Sequence, residues 1–360
     1  MAALTASEPM LALRTVLAAR VLRRSLLAYL VFNTAEAAVW VATLVFAYDY
    51  GGTTAAAFAC LVQLLPAAAI APVAASMGDR APRERILAWI YCVQAAMMVL
   101  TVALFMVGAA PPLILVGVML VSMTFSFTRP VYLASLPAFA ATPSQLTAAN
   151  SVSAMVESLA ELLGPAIAAV IVTLAGPSQV FATFAVGLLL AALLVYQATR
   201  PTAAAPAAER QKISLTDWSA SLDEVRARPA GRLLLSYLGV AYMLVGMADV
   251  LAVVLAFEIL TLGPSGPGIL ISAIGFGGLV GAAGSILLAG QRRLGPALAG
   301  ALLVFGVAFA LTGLTGHLLL AVLLLAAAGA GQSVLGVAAR TLLQRCVDED
   351  VLARVFGLQE

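Results

Sequence analysis

The stretch Ser25-Leu-Leu-Ala-Tyr-Leu-Val-Phe-Asn-Thr-Ala-Glu-Ala-Ala-Val-Trp-Val-Ala-Thr-Leu-Val-Phe-Ala-Tyr48 decides the class of fold. As an α-helix it is long enough to cross about 30 Å of hydrocarbon, and it contains a single acidic side chain and no basic one. Similar stretches recur along most of the chain, which is 63% hydrophobic and 10% charged. A soluble domain has about 25% charged residues. The sequence therefore predicts an integral membrane protein built of helices.

The spacing of the apolar stretches predicts ten membrane spans, bounded by Gly and Pro clusters or by charge. The predicted spans are 25–48, 54–77, 86–108, 112–138, 148–175, 178–199, 232–261, 267–290, 294–315 and 318–343.

The longest connection is rich in Ala and Pro and then polar, and it divides the chain into two halves. Its apolar stripe predicts a short amphipathic helix on the membrane surface. The predicted domains are an N-terminal cytoplasmic segment, a six-helix half, a cytoplasmic linker and an incomplete second half, at 1–24, 25–199, 200–231 and 232–360.

The two halves repeat weakly in sequence. Arg24-Ser-Leu-Leu-Ala-Tyr-Leu30 opens the first half, and Arg232-Leu-Leu-Leu-Ser-Tyr-Leu238 opens the second. Parallel repeats of six helices are a known transporter architecture. The predicted fold class is therefore an all-α polytopic membrane helix bundle with two pseudo-symmetric halves. Six and four helices are visible of an expected six and six, so two C-terminal helices are expected to be missing.

The basic residues predict the orientation of the chain in the membrane. With ten alternating spans, every Lys and Arg except Arg129 lies on the side of the N-terminus and the linker. Cytoplasmic loops carry the excess of basic residues in membrane proteins. The sequence thus predicts a multi-pass protein of the plasma membrane with a cytoplasmic N-terminus.

Five charged side chains fall inside the predicted spans, where charge is costly and usually functional. Glu36 lies near mid-depth, on one helical face with Asn33 and Trp40. This face suits the wall of a wet cavity, and the alternative is a protonated Glu bonded to a neighbouring helix. Asp249 occupies the corresponding depth of the seventh span, on a face with Tyr242. Desolvation favours the neutral form of a carboxylate, so either residue is a candidate proton carrier.

Arg129 and Glu157 each lie 14 positions from Pro143, where spans four and five are joined. In an antiparallel hairpin they should therefore lie at the same depth, and an ion pair would offset the desolvation of both charges. A fixed clamp and a pair that switches during the functional cycle remain open interpretations. Glu161, one turn beyond Glu157, would extend a relay.

The sequence offers no residues for an enzyme. Nothing resembles a phosphate-binding loop, a zinc site or a nucleophile triad, and Cys60, Cys92 and Cys346 fit no metal or redox spacing. No cofactor, metal or nucleic-acid partner is predicted. The lipid bilayer is the one partner that composition implies.

Met77-Gly-Asp-Arg-Ala-Pro-Arg-Glu-Arg85 resembles the cytoplasmic-loop signature of the major facilitator superfamily. The resemblance implies transport of a small molecule by alternating access. It also implies that this loop is a gate rather than a substrate site. The implied gating residues are Gly78, Asp79, Arg80, Arg83 and Arg85.

Gly164-Pro165 in span five is similar to the Gly-Pro signature of proton-coupled exporters in the same superfamily. Arg340-Thr-Leu-Leu-Gln-Arg345 resembles the enterobactin-exporter-like branch, which includes drug-efflux proteins. The resemblance implies a monomeric antiporter that exports a small amphipathic compound against protons. A lipid or lysolipid transporter and a non-transporting receptor or scaffold are the alternatives.

Overall fold

The computed structural model describes residues 19–77, 83–139, 143–198, 239, 243, 246–285 and 295–346. Across these ranges the regular elements are helices, and no strand occurs. Seven of the helices are long and apolar enough to cross a membrane, and a shorter apolar helix covers Leu298–Thr312. The predicted fold class, an all-α membrane helix bundle, is confirmed. The chain divides into two compact units, Met1–Arg210 and Gln211–Glu360.

The described part of the first unit contains six helices. They are α1 (Arg20–Met77), α2 (Arg83–Met106), α3 (Pro111–Phe125), α4 (Thr128–Phe139), α5 (Pro143–Ala175) and α6 (Pro177–Ala198).

Helix α1 contains both of the first two predicted spans and breaks between them. Gly51 and Gly52 have non-helical backbone angles, and Gly52 has a φ of 63°, a region that residues with a side chain rarely adopt. Ala47 and Ala59, on either side of the break, lie in one buried cluster with Leu115 of α3. Twelve residues of straight helix would separate the two alanines by about 18 Å, so the two parts of α1 fold back on each other as a hairpin.

The fourth predicted span, 112–138, is interrupted. Helix α3 ends at Phe125 and α4 begins at Thr128, with a turn at 126–127 between them. The break leaves polar groups inside the unit, and Gln94 of α2 binds two of them. Its amide nitrogen donates to the backbone carbonyl of Thr124 at 3.1 Å and to the hydroxyl of Thr128 at 2.7 Å. Such partners offset the cost of a broken helix in an apolar environment.

The second unit begins its described part with a helical segment at 246–254, which continues into the π-helical turn Leu255–Ile259. A short 3-10 turn follows at Gly263–Ser265. The remaining helices are α7 (Gly266–Ser285), α8 (Gly295–Thr312) and α9 (Leu318–Cys346). The side chains of Leu255, Leu270 and Leu325 form the buried centre that joins the π-helical turn to α7 and α9.

Helices α7 and α9 approach each other through glycine. A Cβ added to Gly277 would overlap the backbone of Ala326, and one added to Gly281 would overlap that of Ala330. Gly329 of α9 faces the backbone of Ile274 in the same way. Association of helices in lipid depends on such close packing, because hydrocarbon tails are as apolar as the helices themselves.

Two adjacent glycines of α7 test this packing. Gly277→Ala is expected to destabilise the protein by about 1–3 kcal/mol, because the methyl group forces backbones apart. Gly278→Ala is the matched control, since an added Cβ there meets no atom within 4 Å, and it should be neutral or slightly stabilising. Thermal unfolding in detergent measures both. Equal unfolding temperatures for the two variants would contradict the packing argument.

Candidate functional site

Glu36 and Arg129 form a salt bridge between α1 and α4. The guanidinium Nη2 lies 3.0 Å from the carboxylate Oε2, and the Arg129 and Glu36 side chains are 42% and 36% exposed. The same nitrogen donates a hydrogen bond to Asn33 Oδ1 at 3.3 Å. Both acceptors lie on the helical face that the sequence predicted, three residues apart. The pair is thus a half-buried ion pair inside an apolar helical unit, accessible to a small molecule or to water.

Asn33 is held in the orientation that this contact requires. Its side-chain nitrogen donates to the backbone carbonyl of Tyr29, one turn earlier, at 2.7 Å. The amide oxygen is therefore directed at Arg129, while the amide hydrogens are used within α1. Asn33 is buried, with 4% exposure, so it fixes the guanidinium rather than offering a free amide.

The break before α4 contributes to the position of Arg129. The residue lies in the first turn of α4, directly after Thr128, whose hydroxyl accepts the hydrogen bond from Gln94. A continuous helix over 112–138 would set the direction of Arg129 by the helical period alone. Because of the interruption, the rotation of α4 about its own axis is independent of α3.

Glu157 of α5 accepts a hydrogen bond from the hydroxyl of Tyr29, with the two oxygens 2.5 Å apart. The Tyr29 ring stacks on Tyr132 of α4, with centroids 3.7 Å apart and planes 3° from parallel. The Tyr132 hydroxyl shares a hydrogen bond with Ser153 of α5 at 2.8 Å. Helices α1, α4 and α5 therefore meet at one polar contact enclosed by aromatic rings.

The predicted pairing of Arg129 with Glu157 remains a prediction. In this structure Arg129 forms its salt bridge with Glu36, and Tyr29 donates the hydrogen bond to Glu157. Arg129 and Glu157 both act electrostatically on the Tyr29 hydroxyl. The two predicted partners thus belong to one neighbourhood, with Tyr29 as the group that both affect.

Gly164 brings α5 against the turn of α1 that carries Glu36. A Cβ at this position would lie 2.6 Å from Ala37 Cβ and 2.8 Å from the backbone oxygen of Thr34. Helix α5 runs on through the neighbouring Pro165. The Gly-Pro motif therefore lies at a close contact of α1 and α5 beside the ion pair.

The other predicted cavity residues lie near these groups or in the second unit. Trp40 follows Glu36 by one turn and is partly buried. Within the described residues, no group accepts a hydrogen bond from its indole nitrogen. Glu161 is exposed on α5. Asp249 is partly exposed in the helical segment 246–254, and Tyr242 lies outside the described residues.

The predicted gating loop falls largely outside the description. The described residues do not include Gly78, Asp79 and Arg80, and they do not include the linker 200–231. Arg83 is the first residue of α2, and Arg85 is exposed two positions later.

No metal site emerges in the parts of the chain that the structure describes. There, no three His, Cys, Asp or Glu side chains are grouped so as to hold a metal ion. An apolar cavity of about 90 Å³ in the second unit has a lining that includes Leu251, Leu255, Phe309, Thr312 and Leu325. Pockets for small-molecule ligands measure roughly 300–1,000 Å³, so this cavity is too small to hold a whole substrate.

Tyr29 and Tyr132 are the site residues that the sequence interpretation missed. A signal for Tyr29 was present, because residues 29, 33, 36 and 40 follow the i, i+4, i+7 and i+11 spacing of one helical face. Tyr132 gave a weaker signal, as one turn beyond Arg129 on the same helix.

A bundle of apolar helices with an ion pair inside one unit defines an integral membrane protein of the transporter class. The chain matches the Major Facilitator Superfamily over residues 25–360, and it belongs to that family. It is accordingly a multi-pass membrane transporter and not an enzyme. Members of this family carry small-molecule substrates.

Solved structures agree on the fold. A bacterial homologue of the human lysosomal transporter Spinster, inward-facing and unoccupied, superposes with a TM-score of 0.71 at 17% identity, covering 94% of this chain and 78% of that one. An inward-facing bacterial homologue of the iron transporter ferroportin gives 0.66 at 16%, covering 94% and 87%. A D-xylose–proton symporter gives 0.59 at 16%, covering 93% and 85%. No curated protein sequence matches the chain.

Proposed function

We propose that the protein is a secondary active transporter that exports a small amphipathic compound, drug-like or siderophore-like, in exchange for protons by alternating access. The observation that carries this proposal is the Glu36–Arg129 ion pair, 3.0 Å long and about 40% exposed. Charge inside a membrane bundle is costly unless it has a use. A half-exposed pair leaves the carboxylate in reach of both protons and ligand.

The ion pair supplies a chemical reason for coupling. Protonation of Glu36 removes its negative charge and thereby the attraction that holds Arg129 at 3.0 Å. Because Glu36 belongs to α1 and Arg129 to α4, loss of the pair loosens a contact between two helices. A substrate that takes the place of either partner has the same effect, so proton and substrate act on one contact.

Asp249 is the proposed counterpart in the second half. It stands in the seventh predicted span, as Glu36 stands in the first, and repeat-equivalent helices border the central cavity in transporters of this architecture. We propose that at least one of the two carboxylates carries the proton. Residues 78–85 act as the cytoplasmic gate in this proposal, and the protein works as a monomer in the plasma membrane with a cytoplasmic N-terminus.

The proposed direction of transport, export rather than uptake, rests on the Gly-Pro motif of α5. Gly164 packs against the backbone of α1 beside Glu36, so movement of α5 is sterically linked to the position of the carboxylate. A structural link between the exporter-like motif and the ion pair supports, within this family, proton-coupled export rather than uptake.

Flux in proteoliposomes under an imposed pH gradient tests the proposal, with a panel of fluorescent amphipathic dyes and iron chelators as substrates. Glu36→Gln and Asp249→Asn should each be measured, and at least one should lower pH-driven flux by more than about tenfold, because the residue that carries the proton can no longer exchange it. Asp49→Asn is the matched control, an exposed carboxylate at the end of the first part of α1. Full pH-driven flux in both test variants would exclude the carboxylates as proton carriers.

A further inference from the structure

The Tyr29 hydroxyl donates its hydrogen bond to the Glu157 carboxylate. The oxygen–oxygen distance is 2.5 Å, at the short end of the range for a hydroxyl donor and an oxygen acceptor, and such a bond is stronger when the acceptor is ionised. Tyr29 is fully buried and Glu157 is partly buried. A buried hydroxyl that donates to a carboxylate favours its ionised form over its neutral form.

The surroundings of Tyr29 leave its hydroxyl little freedom. The ring stacks on Tyr132 at 3.7 Å, and Tyr132 is itself bonded to Ser153. Ser153 and Glu157 are one turn apart on α5. Both tyrosines are thus tied to the same face of α5, and Tyr29 cannot turn away from Glu157 without disrupting the stack.

Tyr29 is also connected to the ion pair. Its backbone carbonyl accepts the hydrogen bond from Asn33, and Asn33 accepts one from Arg129, the partner of Glu36. A continuous path of contacts therefore joins Glu157 to Glu36 through three helices. Along α1, Tyr29 and Glu36 are seven residues, or about 10 Å, apart.

The charged and titratable groups near Glu157 that the described part of the first unit supplies come from α1, α4 and α5. Helix α1 presents Tyr29 and, further along, Glu36, while α4 presents Arg129 and Tyr132. Glu161 is one turn away on α5 itself, and α6, which also packs on α5, has no charged side chain within Pro177–Ala198. The formal charges of Arg129 (+1), Glu36 (−1), Glu157 (−1) and Glu161 (−1) sum to −2, so a proton bound by Glu157 reduces an excess of negative charge.

We propose that Glu157 is a second proton-binding group of the transporter and that Tyr29 is the positioning residue that sets the pH at which Glu157 takes up its proton. This inference rests on the proposed proton-coupled function and adds a site to it. Tyr29 keeps its own proton throughout. Proton uptake by Glu157 replaces an ionic hydrogen bond by a neutral one, and the change reaches Arg129 through Asn33.

Two matched variants test the proposal. Tyr29→Phe removes the hydroxyl that donates to Glu157 and keeps the ring stacked on Tyr132. Tyr132→Phe removes the bond to Ser153 and keeps the hydroxyl on Glu157. The carboxylic-acid C=O band of Glu157, identified by its loss in Glu157→Gln, is followed by infrared spectroscopy against pH, together with the pH profile of flux.

Tyr29→Phe is expected to move the titration of the Glu157 band and the pH profile of flux to higher pH, by about one unit, since the ionised carboxylate loses its donor. Tyr132→Phe should leave both unchanged. The double variant Tyr29→Phe/Glu157→Gln should have the flux profile of Glu157→Gln alone. If Tyr29→Phe fails to fold, Glu157→Asp takes its place, because the shorter side chain withdraws the carboxylate from the Tyr29 hydroxyl. Its carboxyl band and its flux profile must then shift to higher pH in the same way.

Identical titration of the Glu157 band in the wild type and Tyr29→Phe would overturn the proposal, as would an equal displacement in Tyr132→Phe. If the band is displaced in Tyr29→Phe alone while no variant transports in response to pH, the assignment of Tyr29 and Glu157 is supported and the proposed coupling to protons is wrong. The two ideas therefore fail separately.

Discussion

Replacing Arg129 by methionine is expected to abolish pH-driven flux and to destabilise the protein by about 2 kcal/mol. Methionine has a similar length and no charge, so the substitution leaves the Glu36 carboxylate without its cation. Breaking a fully buried pair costs about 3–5 kcal/mol. A surface pair contributes about 0–1 kcal/mol. The Arg129 and Glu36 side chains are 42% and 36% exposed, so we expect the cost of breaking this pair to lie between the surface and the fully buried values.

The double variant Glu36→Gln/Arg129→Met separates stability from function. It has no charge at either position, and neutral replacements of an ion pair are often as stable as the pair itself. We expect its unfolding temperature to return towards that of the wild type while flux stays absent. A double variant that transports normally would show that the pair is only a structural clamp. Thermal unfolding in detergent and flux in proteoliposomes give the two measurements.

Gly164→Val is expected to disrupt the site by forcing α5 away from the turn of α1 that carries Glu36. The first added carbon would lie 2.6 Å from Ala37 Cβ and 3.1 Å from the backbone nitrogen of Ala38. Backbone atoms cannot move aside as a flexible side chain does, so α5 must shift away from α1. Overpacking of this kind costs about 1–3 kcal/mol and occasionally more, and the shift also removes the support of Glu36. Loss of flux and a lower unfolding temperature should therefore occur together.

Gly187 provides the control for this substitution. It faces the same helix α1 from α6, but a Cβ there meets the end of the Val31 side chain at 3.2 Å rather than backbone. Gly187→Val should thus be tolerated better than Gly164→Val in both assays. The same loss in both variants would indicate general sensitivity of α1 to its neighbours, and the particular role of the Gly164 contact would be wrong.

The class of fold was predictable because each span carries its own signal. About 20 apolar residues in succession identify a membrane helix without any knowledge of its neighbours. Gly51 and Gly52 likewise marked the end of the first span in the sequence. The interruption at 126–127 was missed although Pro130 signals it, since proline has no N–H to bond the carbonyl of Ser126 four residues earlier and its ring crowds that carbonyl. Gln94, a residue of another helix, binds the Thr124 carbonyl and the Thr128 hydroxyl beside the break, and no local pattern predicts that contact.

The candidate site shows a similar division. The predicted face of α1 brought Asn33 and Glu36 to the same partner, as its helical spacing indicated. Equal distance from the hairpin turn predicted a common depth for Arg129 and Glu157. Depth alone leaves the rotation of each helix undetermined, and rotation decides which neighbour a long side chain meets. Tyr29 and Glu157, which share a hydrogen bond, are 128 positions apart in sequence. No local sequence pattern predicts such a contact.

The two-glycine break of α1 has a consequence for biogenesis. A turn this short leaves very little polar chain between two apolar segments: the residues around it include Tyr48, Asp49, Tyr50 and Thr53, and Asp49 is the one charged side chain among them. When the nascent chain leaves the ribosome, both segments can enter the lipid together as a preformed pair, and the Asp49 carboxylate is the one charge that the turn adds to the desolvation cost. Basic residues inserted beside Gly52 would raise that cost and should delay the integration of the pair.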